Sequence, residues 1–347
     1  ALRSKNGSWT RLADVEGQTL DMGDVITVAL AGDGYELHLV ATTLTGRIWH
    51  SLRHQDGSWT HHGDVKNATG GAIGPVASAA IAMAGGDLHV AAITTNRSLS
   101  SENKYLHFRC NKPPFDDVRV RLAAVHAIDR DQVLAVVGDA GQASSCHISP
   151  VKFGYKDVAD YPKFDPEACQ KLLAEAGFPK GEGLPEIEYI TSVGFYPKTR
   201  EYGELITAML QEQGFPVKLT TLEPAAWEEQ LYRRADGQGP GHIVDVGWIT
   251  GSPEPDLVLR PNYLSKFALI NGINDPDIDA SLDKERNAAS TDERLKILQE
   301  ETLPLLAAKM PSVSLFSSVF LRAMSKDLSG VYFYPNGPID LSKATLA

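Results

Sequence analysis

The chain has 347 residues, 43% of them hydrophobic and 22% charged, with a net charge of −11, which allows two domains of ordinary soluble composition. The negative balance argues against a nucleic-acid partner, which would require clustered Lys and Arg to neutralise phosphates. No apolar run approaches the roughly 20 residues needed to span a bilayer. The opening Ala1-Leu2-Arg3-Ser4-Lys5-Asn6-Gly7 lacks a signal-peptide core, as expected of a mature or trimmed end.

The charge is uneven along the chain. Residues 1–105 carry 8 basic and 10 acidic side chains against 25 and 34 in the rest, and hold six of the ten His and three of the five Trp. This shift places a domain boundary near 105. Within the first part, Asn6-Gly7-Ser8-Trp9-Thr10 recurs as Asp56-Gly57-Ser58-Trp59-Thr60, and Glu36-Leu37-His38-Leu39-Val40-Ala41 recurs as Asp87-Leu88-His89-Val90-Ala91-Ala92. A spacing of about 50 residues is the mark of a repeat array. Alternation in Leu37-His38-Leu39-Val40 and Ile48-Trp49-His50-Ser51-Leu52 predicts short strands, with Gly32-Asp33-Gly34 and Gly85-Gly86-Asp87 as turns. Four short strands per period describe a propeller blade. Trp9 and Trp59 either fill the space between blades or stack on sugar. His38 and His89 occupy equivalent strand positions and are expected to be structural. Neighbours His61 and His62 point to opposite strand faces, which disfavours a metal site with His54.

The segment Gly46-Arg47-Ile48-Trp49-His50 followed by Asp56-Gly57-Ser58-Trp59 resembles the tectonin-like propeller lectins, over about 100 residues. That resemblance implies carbohydrate sites between blades, here Trp49, His50, Arg53 and Trp59. The second copy has Asn96-Arg97-Ser98-Leu99-Ser100 at the corresponding place, which departs from the pattern. Two blades cannot close a ring on the usual count of about 4–8. The resemblance therefore implies a homo-oligomer pooling blades, or a fragment.

Further along, Asp116 or Asp117 can cap a helix with Val118, Leu122, Val125 and Ile128 at helical spacing. Arg119, Arg121 and Arg130 lie off that stripe and are expected to be solvated or ion-paired. Asp165-Pro166-Glu167-Ala168 opens a second helix, with Leu172, Leu173 and Ala176 inward and Gly177 as its stop. Strands follow at Ile187-Glu188-Tyr189-Ile190 and Phe215-Pro216-Val217-Lys218-Leu219-Thr220, with an amphipathic helix from Glu201 to Gln213 between them. Alternating strands and helices predict an α/β lobe. The fold class expected is thus multi-domain: N-terminal all-β propeller-like blades at 1–105, then an α/β lobe at 106–347.

Of the three cysteines, Cys169 is expected to be a small buried residue, and Cys110 and Cys146 can bridge if the protein is exported. No Walker loop, Gly-x-Ser-x-Gly elbow or His-Glu-x-x-His is present. The Gly70-Gly71-Ala72-Ile73-Gly74 and Gly237-Gln238-Gly239-Pro240-Gly241 stretches read as turns. Asp275, Asp277 and Asp279 lack the Gly and terminal Glu of a calcium loop and suit helix capping. An enzyme is not expected, and neither a cofactor nor a metal is implied.

Residues 111–345 resemble the second lobe of the peptide, dipeptide and nickel class of solute-binding proteins that feed ABC importers. The resemblance is carried by Asn111-Lys112-Pro113-Pro114-Phe115-Asp116-Asp117-Val118-Arg119-Val120-Arg121 with Ala127-Ile128-Asp129-Arg130, and by Asp165–Gly177. Trp227, Gly247-Trp248, Glu254-Pro255-Asp256, Met310-Pro311 and Leu328-Ser329-Gly330 continue it. It implies a second lobe closing over a ligand cleft, an extracytoplasmic location and membrane subunits of an ABC transporter as partners. Trp227 and Trp248 are then the residues expected to face the ligand, with packing in the lobe core as the alternative. Peptide-binding members usually carry an Asp three residues after the Trp that matches Trp248; here Gly251 stands there. Asp245 or Glu254 can substitute, although Glu254, between two prolines, reads as solvated. The change weakens the peptide assignment and admits a sugar-containing or neutral ligand. The leading expectation is capture of a peptide-like or saccharide small molecule for ABC import. The alternative is a carbohydrate-binding lectin working by oligomerisation, with the α/β part as passenger.

Overall fold

Six strands form the central sheet of a computed structural model. It describes residues 25–32, 36–43, 47–56, 58–60, 63–65, 76–84, 87–94, 96–232, 241–322, 324 and 328–346. Trp9, His61, His62, the Gly70–Gly74 turn and most of the Gly237–Gly241 turn lie outside the described residues. The chain divides into two compact units: residues 1–97, 321–329 and 344–347 in one, 98–320 and 330–343 in the other.

In the first unit, β1 (Val25–Gly32), β2 (Leu37–Thr43), β3 (Ile48–Arg53) and β4 (Gly63–Asp64) form an antiparallel meander. Paired residues share a face. Leu39 lies opposite Ser51 and Ala41 opposite Trp49, while Val40 lies opposite His50 and Thr42 opposite Ile48. The first face packs Leu39 and Ala41 with Trp49 and Trp59. The second packs Val40 and Ile48 against Ala79, Ile81 and Val90 of a separate hairpin, β5 (Val76–Ala84) with β6 (Asp87–Thr94).

The two sequence copies therefore do not fold alike among the described residues. The first gives a four-stranded sheet. The second gives a two-stranded hairpin followed by the 13-residue strand β7 (Asn96–Phe108). The copy's last strand is drawn away because its continuation, Lys104-Tyr105-Leu106-His107-Phe108, is buried almost completely in the second unit. β7 runs through residue 105, whereas the compact units part between Arg97 and Ser98.

In the second unit, β9 (Ile187–Ser192) runs parallel to β10 (Val217–Leu222) and to β11 (Ile243–Trp248). β7 pairs antiparallel with β11 in a register that sets Asn103 beside Trp248 and Phe108 beside Ile243. β12 (Ser312–Arg322) follows, and the short β8 (Gly141–Gln142) closes the edge. Central strands covered on both sides read as continuous burial instead of alternation, as in β9, where only Glu188 is incompletely buried.

The helices start and stop where their end residues direct. Asp117 caps Val118–Ala127, accepting from the Arg119 N–H. Asp165 caps Pro166–Glu175, and Gly177 follows with a φ of +95°. Asp275 accepts from the Asp277 and Ile278 N–H groups, so the acidic triplet caps a helix. The core stripe of Val118–Ala127 differs from the one predicted. Val120, Ala123, Ala124 and Val125 are buried, and Val118 and Leu122 are only half-buried.

Arg121 also departs from expectation. It is 4% exposed and donates to the carbonyls of Phe115 at 2.7 Å, Lys309 at 2.7 Å and Met310 at 3.1 Å. The guanidinium fork satisfies carbonyls at the end of helix Leu303–Lys309, which would otherwise be left without partners. Arg130 likewise donates to Ser144 and Ser314 carbonyls, whereas Arg119 is exposed and paired with Asp117. Cys110, Cys146 and Cys169 are all buried free thiols, so Cys110 and Cys146 form no bridge. Burial pushes them up to about 11, 12 and 12 respectively.

Candidate functional site

The parallel strands β9 and β11 end side by side, and the chain leaves each as a loop. Phe195-Tyr196-Pro197 follows β9, and Ile249-Thr250-Gly251 follows β11. In open α/β sheets the crevice outside the carboxyl ends of strands is the favoured ligand position. A cavity of about 340 Å³ opens there, walled by Phe195, Tyr196, Ile249, Phe316 and Phe320, with Glu102, Lys104 and Ser318 as its polar groups. That is within the usual size range of small-molecule sites, about 300–1,000 Å³.

The polar groups are arranged around β7. Lys104 and Asp245 form an ion pair, with side chains 1% and 0% exposed. Asp245 also accepts from Tyr189 Oη at 3.3 Å and Thr191 Oγ1 at 3.1 Å. Burial lowers the Lys104 pKa, and the adjoining Asp245 charge opposes that shift. The ammonium also lies 3.1 Å from the centroid of the Tyr196 ring, a cation–π contact. Glu102, two residues earlier, faces the cavity half-buried. It accepts from Ser318 Oγ at 2.6 Å. Burial raises the Glu102 carboxyl pKa, while the Ser318 hydrogen bond and Lys104 pull it back.

Gly247 makes this arrangement possible. A Cβ there would sit 2.6 Å from the Glu102 carboxyl group and 2.9 Å from Tyr196 Cε1. The Gly247 N–H instead donates to Tyr196 Oη at 3.0 Å. Gly251 is exposed, and the nearest atom to a Cβ added there is Asn336 Nδ2 at 3.3 Å.

The structure distributes the residues singled out from sequence. Trp248 is half-buried, and its Nε1–H donates to the Leu257 carbonyl at 2.9 Å. Trp227, 3% exposed, lies in a cluster with Ile190, Leu231, Val244, Val246 and Ile270. Its ring contacts Phe195 and Tyr196, so it backs the aromatic wall. Asp245 is buried outside the cavity lining, engaged by Lys104. Glu254 is not solvated freely: Arg294 binds it and also Glu285.

In the first unit, Trp49, Arg53 and Trp59 share one face. Trp49 is packed beside Trp59, and Arg53 is bridged to Trp59. His50 falls on the opposite face, stacked on His38 with ring centroids 5.2 Å apart. The set is divided because adjacent strand positions alternate. Sequence reasoning missed Glu102, Lys104 and Tyr196. The available signal was a Glu and a Lys embedded in a strand that continues as Tyr105-Leu106-His107-Phe108.

The sequence pattern of the bacterial extracellular solute-binding proteins, family 5 Middle, matches residues 63–268. The chain belongs to this family. The dipeptide-binding protein of Escherichia coli is 35% identical over 154 residues, 44% of this chain and 28% of that protein. Heme-binding protein A of Haemophilus influenzae is 28% identical over 239 residues, 67% of this chain and 42% of that protein. The crystal structure of a dipeptide-binding protein from Pseudoalteromonas sp. SM9913, in complex with Met-Leu, superposes with a TM-score of 0.61 at 25% identity. The likeness covers 74% of this chain and 50% of that one. The chain thus spans about half the length, or less, of these family 5 relatives. The family match opens at residue 63, inside the second repeat copy, and none of these relatives is named as a propeller or a lectin. No helix among the described residues is long and apolar enough to cross a membrane.

Proposed function

We propose that this family 5 chain is the ligand-binding part of an extracytoplasmic solute-binding protein that delivers a peptide-like small molecule to the membrane subunits of an ABC importer. The observation that carries this reading is the cavity at the ends of β9 and β11. It is a small aromatic chamber with few polar groups, the composition usual for a small-molecule site. Its lining from Glu102 to Ile249 lies within the stretch that matches the family, and two of the relatives are named for dipeptides. Binding without chemistry also fits the polar groups present: a carboxylate with an ordering hydroxyl, and an ammonium already neutralised by Asp245.

The test is ligand titration followed by melting temperature and tryptophan fluorescence. Trp227 and Trp248 pack in and beside the wall, so occupancy should change their emission. A ligand that binds only the folded state stabilises by mass action, about 2.7 kcal/mol at a hundredfold excess over Kd. Free dipeptides should produce both signals. A response to glycans in place of dipeptides would move the assignment to saccharides, and silence toward both would remove it.

A further inference from the structure

Three charges meet at the aromatic cavity, and they do not cancel. Lys104 is withdrawn from solvent and engaged by Asp245. Glu102 therefore supplies an unmatched negative charge, and it accepts a hydrogen bond from a neutral hydroxyl, Ser318 Oγ. A half-buried carboxylate held by a neutral donor retains much of its desolvation cost, which an ionised donor would offset. The walls beside it are Phe195, Tyr196, Phe316 and Phe320. Their ring faces carry partial negative charge and suit a cation or an apolar group, not an anion. Gly247 keeps the space beside the carboxyl group clear, since any Cβ would collide with it.

We propose that Glu102 is the counter-ion for an ammonium group of the ligand, so that the cavity selects amines and the ligand's apolar substituent lies on the aromatic wall. This deepens the solute-binding reading and rests on it. It gives the α-amine of a peptide-like ligand a carboxylate partner on β7, where Gly251 offers none after β11. The Asp245 carboxylate is unsuited to that role because Lys104, Tyr189 and Thr191 already engage it. Glu254 is bound by Arg294.

The experiment uses the full chain and a matched probe pair, phenethylammonium and 2-phenylethanol, which differ mainly in the charged nitrogen. Calorimetric titration at neutral pH should show the ammonium binding at least about tenfold tighter, as for charge-assisted pairs. Glu102→Gln should abolish that preference, chiefly by weakening phenethylammonium. Ser318→Ala, which removes only the orienting hydroxyl, should weaken the preference about two- to fivefold. Equal affinity for the two probes, retention of the preference in Glu102→Gln, or no binding of either probe would overturn the proposal. Alanyl-leucine in the same series separates the two readings. If phenethylammonium depends on Glu102 and the dipeptide does not bind, the peptide reading fails and the amine site stands. If the dipeptide binds equally to wild type and Glu102→Gln, the amine site fails and the peptide reading stands.

Discussion

Lys104 on β7 and Asp245 on β11 are joined in an ion pair withdrawn from solvent, on neighbouring strands whose register sets Lys104 beside Gly247 and Asp245 beside Leu106. Each charge is tolerable only because of the other. Asp245→Asn or Lys104→Met alone leaves a buried charge without its partner and should cost about 3–5 kcal/mol. The double variant should be less unstable than either single one. Urea denaturation of the four proteins completes the cycle, and additive losses would show that the pair is not coupled.

Glu285 gives a pH dependence of stability. Its side chain is fully buried beside Arg294, and burial together with Asp256 raises its pKa from 4.5 to about 8. A raised carboxyl favours the protonated form in the folded state. The stabilisation is therefore complete below the unfolded value of 4.5 and is lost as pH rises through about 8. The difference in melting temperature between wild type and Glu285→Gln should move in favour of the variant between pH 5 and pH 8. A difference independent of pH would contradict the assignment.

Arg121 ties helix Val118–Ala127 to the end of Leu303–Lys309 through carbonyl oxygens. Arg121→Ala should destabilise by about 3 kcal/mol through the unsatisfied carbonyls left behind. Arg121→Lys should recover only part, because an ammonium cannot reproduce the fork. Full stability of Arg121→Lys in urea titration would argue that charge alone matters.

Much of the α/β part was legible because its signals are local. Asp165-Pro166 and Gly177 start and stop a helix by their own backbone preferences, and Asp275 caps another. The family-specific segment at Asn111–Arg130 was legible as a pattern, yet Arg121 and Arg130 proved to brace carbonyls. What escaped depends on partners distant in sequence. Glu102 and Lys104 acquire meaning only when β7 meets β11 more than a hundred residues later. The similarity of the two repeat copies held for the hairpins Val25–Thr43 and Val76–Thr94. It failed beyond Asn96, where burial in the central sheet took precedence over the local repeat. Trp227 was legible as an aromatic near the site, but its burial behind Phe195 and Tyr196 was not.

Gly251 offers a gain-of-function test. It is exposed, and an added Cβ would meet only the movable amide of Asn336 within 4 Å. Gly251→Asp should fold and add a carboxylate beside the end of β11. Affinity for a free dipeptide should then rise about tenfold, the scale of one charge-assisted hydrogen bond. N-acetylated dipeptide should gain nothing, and an equal gain for both would refute an electrostatic origin.

Binding of peptide-like amines in the chamber formed by Glu102, Tyr196 and Phe316 is decided by calorimetric titration of alanyl-leucine against N-acetyl-alanyl-leucine. Saturable one-to-one binding of the free dipeptide, weakened at least about tenfold by acetylation, is the predicted result. Equal binding of both peptides, or no heat from either at millimolar concentration, would contradict it.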